Sequence, residues 1–136
     1  MQVCKLMSAN VVTVELDDPL WKVKAIFEKT GFHNLLVVEH NRLYGVLSDR
    51  DLLKTLSPNV DSKHASPKDL ACLNKKAHQV MTRKPIFLFE TDRVKQAIES
   101  FTENRISCIP IVNAKEEPVG ILSWRDIMRA LISQQK

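Results

Sequence analysis

Glycine, cysteine and aromatic residues are all scarce in this sequence of 136 residues. It contains three glycines and three cysteines, and aromatic residues make up 6% of the chain. Cys4, Cys72 and Cys108 are odd in number and far apart, with no CxxC pair and no histidine at zinc-ligand spacing. The cysteines therefore argue against a disulfide framework and a zinc site. They suit a reducing compartment, and we expect a cytoplasmic protein.

Long apolar runs and the common nucleotide-binding motifs are missing as well. No run of eighteen apolar residues occurs, and the amino-terminal residues lack the apolar stretch of a signal peptide, so we expect no membrane span. The P-loop and Rossmann glycine patterns are also absent. The four histidines have neither an HExxH pattern nor a paired carboxylate beside them. We therefore predict that the chain is not an enzyme and needs no metal or cofactor.

Positive charge is only slightly in excess over negative charge in this sequence. Twenty Lys and Arg residues stand against sixteen Asp and Glu residues, which gives a net charge of +4. Nucleic-acid binders usually concentrate basic residues on one face or in one run, whereas here they alternate with acids. The charge fits a solvated surface or a small phosphate-bearing ligand better than a nucleic acid, which we do not expect as a partner.

An internal repeat organises what is present. Matching residues lie 74 positions apart in the first part of the repeat and 75 apart after a one-residue insertion. Residues 45–54 align with residues 120–129, with five identities in ten positions. Gly45 and Gly120 occupy the same repeat position, which suggests a shared backbone requirement at a turn into a strand.

Both copies predict the same elements. A short β-rich stretch is followed by a helix with apolar residues at helical spacing, then by two apolar β-strands joined by a polar hairpin, then by a closing helix. The first strands are predicted at 11–16 and 85–90, the first helices at 20–30 and 94–104, and the closing helices from Asp49 and Trp124. Each copy is thus β-α-β-β-α, which predicts an α/β fold of the α+β type.

The repeat divides the chain into a first copy at residues 1–57, a connecting stretch at 58–76 and a second copy at 77–136. A Ser-Pro pair predicts a connecting helix over 66–80, and 57–65 is predicted to be a loop or a lid. One copy alone is marginal in size. We therefore expect the two copies to pack with pseudo-twofold symmetry into one compact module with a cleft along the axis.

The strongest local signal is Ser-x-x-Asp at the start of both closing helices. Ser48 and Asp51 form it in the first copy, and Ser123 and Asp126 form it in the second. One interpretation is a helix capping box, although Asp is a methylene shorter than the usual Glu or Gln. The other is a ligand site, because a helix start favours phosphate and a carboxylate can accept hydrogen bonds from both hydroxyls of a ribose. The arginine before each Asp would assist phosphate or would simply be solvated.

The duplicated unit, the strand Ile-Pro-Ile-Val and the Gly-x-Leu-Ser-x-x-Asp frame in both copies resemble a pair of CBS domains, often called a Bateman module. The resemblance covers about residues 2–131. It implies a regulatory module that binds AMP, ADP, ATP or S-adenosylmethionine in the cleft between the copies and commonly forms a homodimer. With no effector domain visible, the regulated partner would be a separate, unknown protein.

The resemblance also implies composite sites, in which Ser-x-x-Asp of one copy holds the ribose and the other copy clasps the adenine. One site would combine Ser123 and Asp126 with Asn10, Val12, Asn34 and Leu35. The other would combine Ser48 and Asp51 with Lys84, Ile86, Cys108 and Ile109. For Val12 and Ile86 a plain core strand is an equal alternative.

The sequence departs from the family pattern at three positions. Leu36 stands where the second copy has Pro110, Trp124 stands where the first copy has Asp49, and Lys84 adds a cation on one side only. Trp124 would stack on a base or pack at a dimer interface, of which we favour the interface. The alternative function is a structural or protein-interaction dimer in which both Ser-x-x-Asp motifs are only helix caps.

Overall fold

The computed structural model describes residues 1–134 of the chain. Residues 135 and 136, which end the predicted second copy, lie outside the described residues. The helices are α1 (Leu20–Thr30), α2 (Asp49–Thr55), α3 (Pro67–Ala71), α4 (Val94–Glu103) and α5 (Trp124–Gln134). The strands are β1 (Thr13–Glu15), β2 (Asn34–Glu39), β3 (Arg42–Ser48), β4 (Thr82–Arg83), β5 (Leu88–Phe89), β6 (Cys108–Val112) and β7 (Pro118–Ser123).

Both copies form the predicted β-α-β-β-α order, so the mixed α/β fold is confirmed. One sheet has the strand order β1-β2-β3-β4 and the other has the order β5-β6-β7. In each sheet the first strand runs parallel to the second. The first strands are shorter than predicted, since they begin only at Thr13 and Leu88.

The first helix of each copy forms where the apolar spacing predicts it. Leu20, Val23 and Phe27 are buried on one face of α1, which ends at Gly31 in the left-handed conformation (φ 71°). In α4 the buried residues are Ala97 and Phe101. These helices therefore supply one apolar face each to the two cores.

The described chain divides into two compact units that do not coincide with the two copies. Unit 1 contains Met1–Val12, His40–Leu43 and the residues from Lys84 onward, and unit 2 contains Thr13–Glu39 and Tyr44–Arg83. Each unit is thus most of one copy together with the opening segment of the other, which is Met1–Val12 in unit 1 and residues 77–83 in unit 2; unit 1 also holds His40–Leu43 of the first copy.

In unit 1 the first residues of the chain pack on the second copy. The backbone N–H of Val3 donates to the carbonyl of Asp92 (2.8 Å), and Ser8 and Ile121 exchange two backbone hydrogen bonds of 2.9 Å. Val3 is fully buried in the core of this unit. Residues 1–8 are therefore structural parts of the second copy.

Unit 2 repeats this arrangement with the opening segment of the second copy. The backbone N–H of Leu20 donates to the carbonyl of Lys75 (2.8 Å), and that of Ala77 donates to Asp18 (2.9 Å). β4 then pairs antiparallel with β3. Both opening segments contain a short 3-10 helix, at Val3–Lys5 and at Ala77–Gln79, so the repeat extends upstream of its most similar part.

The two repeat-related glycines have a steric explanation, which corrects the expectation of a turn. Gly45 and Gly120 lie inside β3 and β7, and Gly31 is the glycine with positive φ. A Cβ at Gly45 would lie 2.8 Å from the carbonyl oxygen of Thr82 and would overlap the sulfur of Met81. Glycine is therefore required at these two positions because the opening segment lies too close to the strand to leave room for a side chain.

The connecting stretch is only partly helical, so the predicted helix over 66–80 is wrong in its length. After α3 the chain forms 3-10 turns at Cys72–Asn74 and Ala77–Gln79. Lys75 between them is extended, because its carbonyl pairs with α1 as described above. Residues 57–65 contain turns and no helix or strand, as predicted for a loop.

Candidate functional site

In unit 2, Ser48 and Asp51 form a reciprocal capping box at the start of α2. The backbone N–H of Asp51 donates to Ser48 Oγ (3.1 Å), and the backbone N–H of Ser48 donates to Asp51 Oδ2 (3.0 Å). Both residues are half-buried. The box holds the serine and the carboxylate side by side at the end of β3.

Ser123 and Asp126 form the same box at the start of α5 in unit 1. Asp126 Oδ2 accepts from the backbone N–H of Ser123 (2.9 Å) and from its hydroxyl (3.1 Å), and the backbone N–H of Asp126 donates to Ser123 Oγ (3.4 Å). The length of Asp is thus no obstacle to a capping box. That step of the sequence argument was wrong, and capping and ligand binding are not distinguished by it.

A third Ser-x-x-Asp box, missed in the sequence, provides an internal comparison. At the start of α3, the backbone N–H of Ser66 donates to Asp69 Oδ2 (2.9 Å), and Asp69 Oδ1 accepts from the hydroxyl of Ser57 (2.7 Å). The hydrogen bonds from Ser66 and Ser57 lower the pKa of the Asp69 carboxyl. Both oxygens of Asp69 are therefore in use.

Asp51 and Asp126 differ from Asp69 in this respect. Their boxes use Oδ2, and within residues 1–134 no hydrogen bond reaches Oδ1 of either carboxylate. Each repeat motif thus keeps one carboxylate oxygen that is held in position by the box and is still able to accept a hydrogen bond.

The other residues predicted for the first composite site are distributed over both units. Asn10 is exposed and Val12 half-buried in the chain that leads to β1, neither within a strand. Asn34 begins β2 and is half-buried, whereas Leu35 is fully buried beside it. Leu35 can therefore offer a ligand only backbone groups.

The residues predicted for the second composite site beside Ser48 and Asp51 all lie in unit 1. Lys84 is exposed, with the uncommon positive φ of 46° for a non-glycine residue, and Ile86 is 37% exposed in the chain before β5. Ile109 is fully buried in β6. Ile86 is therefore not a core strand residue, and Ile109, like Leu35, can contribute only backbone atoms.

Cys108 lies directly opposite Ser123, its partner in the β6–β7 register. Its structural neighbour is therefore the motif serine of its own copy. The predicted grouping of Cys108 with Ser48 stays a prediction. Burial raises the pKa of the Cys108 thiol to about 11. A thiol with this pKa is a poor nucleophile at neutral pH, in keeping with an apolar packing role.

Trp124 packs within its own unit, a contact that neither predicted role included, and both of those roles stay predictions. Its ring lies 4.8 Å from that of Phe101, tilted by 33°, and it packs against the core of unit 1. In the first copy the corresponding position is Asp49, whose Oδ2 lies 2.8 Å from His33 Nδ1. Sequence reasoning missed this His-Asp pair, because its two residues lie in different elements.

Two other kinds of feature, a metal cluster and a membrane-spanning helix, are absent from the part of the chain that the structure describes. Within residues 1–134 no group of three or more His, Cys, Asp and Glu side chains could hold a metal ion. In the same range no helix is both long and apolar enough to cross a membrane.

The family model described as CBS domain matches this chain at residues 3–58 and again at residues 77–133. The chain belongs to the CBS domain family. The two matched segments correspond to the two copies, so the resemblance noted in the sequence is confirmed. The Ser-x-x-Asp boxes at α2 and α5 are thus equivalent features of two CBS domains.

A protein of similar sequence and fold covers nearly the whole chain. MJ1225 from Methanocaldococcus jannaschii is 24% identical over 124 residues, which are 90% of this chain and 44% of that protein. Its solved structure has a TM-score of 0.83 at 25% identity and covers 98% of this chain and 51% of that one. This chain therefore spans less than half of the length of that curated relative.

Two further solved structures share the fold over nearly their whole length. CBSX2, solved in complex with AMP, has a TM-score of 0.80 at 21% identity and covers 99% of this chain and 98% of that one. The CBS domain pair of MJ0100, solved with 5′-methylthioadenosine and S-adenosyl-L-methionine, has a TM-score of 0.76 at 23% identity, with coverage of 96% and 99%.

Proposed function

We propose that this chain is a regulatory module that binds an adenosine-containing ligand and signals its presence to a separate protein. The ligand class is AMP, ADP, ATP or S-adenosylmethionine. Asp51 and Asp126 would each accept hydrogen bonds from ribose hydroxyls, with Ser48 and Ser123 beside them.

The observation that carries this proposal is the unused Oδ1 of Asp51 and Asp126. In both copies the box bonds only Oδ2, which leaves Oδ1 at the same place without a donor among the described residues and able to accept from a ribose hydroxyl. Asp69, which has no counterpart in the repeat, has its Oδ1 bonded to Ser57. The difference favours a ligand at the two repeat motifs.

The solved relatives support the adenosine class in particular. AMP, 5′-methylthioadenosine and S-adenosylmethionine, which are bound by CBSX2 and the MJ0100 pair, differ at the 5′ position and share adenine and ribose. A carboxylate that binds ribose would serve all of them. The eight other predicted residues remain part of the proposal as contacts for the adenine, with Leu35 and Ile109 acting through their backbone.

Isothermal titration calorimetry with AMP, ATP and S-adenosylmethionine tests the proposal. A hydrogen bond to a charged group contributes about 1.5–3 kcal/mol, so we expect Asp51→Ala and Asp126→Ala each to weaken binding at its motif by roughly 10- to 150-fold. Asp69→Ala is the matched control, which removes the same kind of box and should leave binding unchanged. If all three variants bind the ligand as tightly as the wild-type protein does, the proposed ribose contacts are wrong.

A second candidate function, association into a homodimer, has its own observation. Met128, Leu131 and Ile132 lie on one face of α5 and are 55–63% exposed, and Leu53, which occupies the repeat position of Met128, is 70% exposed. Contiguous exposed apolar side chains mark interaction surfaces. Light scattering during size-exclusion chromatography should show a dimer for the wild-type chain and a monomer for Met128→Glu/Leu131→Glu.

A further inference from the structure

The excess positive charge of the chain is confined to one segment. Residues 57–84 contain six Lys and Arg residues and two Asp residues, whereas the rest of the chain contains fourteen of each kind. The whole net charge of +4 therefore comes from the connecting stretch and the opening segment of the second copy. The six cations are Lys63, Lys68, Lys75, Lys76, Arg83 and Lys84.

These six side chains are available for an interaction. All are exposed, and within residues 1–134 none of them forms a salt bridge. The two acids of the segment are already engaged, since Asp61 lies 3.0 Å from Lys24 Nζ and Asp69 forms the box with Ser66. The positive charge is thus not neutralised within its own segment.

Backbone contacts bring part of this charge next to an exposed tryptophan. Lys75 accepts a hydrogen bond from the N–H of Leu20, and Lys76 pairs with Pro19. Trp21 is the next residue along α1 and is 55% exposed. The Arg83 guanidinium donates to the carbonyl of His78 (3.3 Å), and the N–H of His78 donates to the carbonyl of Leu16 (3.1 Å), in the chain that leads to α1.

We propose that Trp21, Lys75, Lys76 and Arg83, here called the Trp21 surface, dock an acidic segment of the regulated protein. Tryptophan is the side chain most typical of the energetic centre of an interface, and surrounding cations steer and orient an acidic partner. Because the proposed function requires a separate partner, this inference rests on it and specifies the chemistry of that partner.

The surface fits an acidic protein segment better than a nucleic acid. Lys75 and Lys76 lie in extended backbone between two 3-10 turns, and Arg83 lies in a two-residue strand, so these cations lie on no helix or long ribbon that could enter a groove. Trp21 is the one exposed aromatic residue of α1, since Phe27 is buried, whereas single-stranded nucleic acids are bound by several stacked aromatics. Asp17 is exposed on the neighbouring turn and would repel a continuous row of phosphates, whereas a peptide can place a neutral residue there.

Fluorescence anisotropy with a labelled twelve-residue peptide, Glu-Glu-Leu-Glu repeated three times, tests the proposal. We expect saturable binding by the wild-type chain, weakened at least tenfold by Lys75→Glu/Lys76→Glu and by Trp21→Ala. Arg105→Glu/Lys115→Glu makes the same change in net charge at exposed positions of the second copy and should alter binding less than twofold. A peptide with Gln in place of Glu should bind at least tenfold more weakly.

Three results would overturn the proposal: equal losses in the two double variants, no effect of Trp21→Ala, or tighter binding of a 16-base-pair DNA duplex than of the acidic peptide. Calorimetry with AMP on the same variants separates the two proposals. Retained AMP binding with loss of peptide binding supports a docking surface apart from the ligand site. If the wild-type chain binds the peptide and no adenosine ligand, the docking surface stands and the nucleotide proposal fails.

Discussion

The thioether of Met81 occupies the place that a Cβ would take at Gly45. Met7 has the same relationship to Gly120 in the other unit, where a Cβ would also lie 2.8 Å from Met7 Cγ and 3.0 Å from the carbonyl oxygen of Ser8. The shared glycine is therefore a consequence of how an opening segment lies across a strand.

We expect Gly45→Ala and Gly120→Ala each to lower the free energy of unfolding by about 1–3 kcal/mol, the usual cost of an overpacked site. Urea denaturation measures this. Met81→Ala should recover part of the loss at Gly45 in a double-mutant cycle. Gly31→Ala is a useful contrast, because its cost of about 1–2 kcal/mol would come from the positive φ and should not respond to any methionine change.

Val3 is expected to contribute to the stability of the second copy although it lies near the amino terminus. Because its side chain is fully buried in unit 1, Val3→Ala should cost about 1–3 kcal/mol in urea denaturation. The half-buried Val11 is a matched control, and Val11→Ala should cost less. Equal, small effects of both changes would contradict the packing of residues 1–8 described above.

The Asp69 box predicts a dependence of stability on pH. The folded pKa of Asp69 lies below its ordinary value of 3.8, so its ionised form is favoured by folding. The stabilisation is present above pH 3.8 and is lost as the pH falls through the folded pKa. NMR titration should show the lowered pKa, and Ser57→Ala should move it back toward 3.8.

Cys108 should resist alkylation until the solution is strongly alkaline. With a pKa of about 11, roughly one thiol in a thousand is ionised at pH 8. Mass spectrometry after iodoacetamide treatment should find Cys108 modified slowly, with a rate that rises up to about pH 11. Since its folded pKa is raised from 9.0, the native state should lose stability between pH 9 and 11. Rapid modification at pH 7 in the folded protein would contradict the burial.

The repeat and the apolar spacing were sufficient to predict the elements that form from local sequence. Helix α1 begins and ends at the predicted residues, and the closing helices begin at Asp49 and Trp124 as expected. The connecting stretch was predicted less well, because Lys75 and Lys76 pair with the start of α1. The local propensities of residues 66–80 do not predict that long-range contact. The repeat spacing of 74 aligns residues 1–7 with residues 75–81. That alignment was the one signal in the sequence that could have indicated the contact.

The candidate site likewise has some features that the sequence predicts and others that depend on tertiary contacts. Ser48, Asp51, Ser123 and Asp126 were identifiable from the repeat, whereas Ser66–Asp69 has the same pattern in sequence. Only the contact between Asp69 and Ser57, twelve residues away, separates a saturated box from an open one. The packing of Trp124 on Phe101 likewise depended on a tertiary contact that spacing alone does not predict.

The exchange of opening segments makes the duplication indivisible. A fragment that ends near residue 60 would lack β4, while the remaining fragment would lack residues 1–8, whose Val3 is buried in its core and whose Ser8 pairs with Ile121. Neither half would be a viable protein by itself, yet a mixture of the two, cut within the 57–65 loop, should reassemble. We therefore expect substitutions to be tolerated independently at the two Ser-x-x-Asp motifs, whereas deletion of either copy should abolish folding of both units.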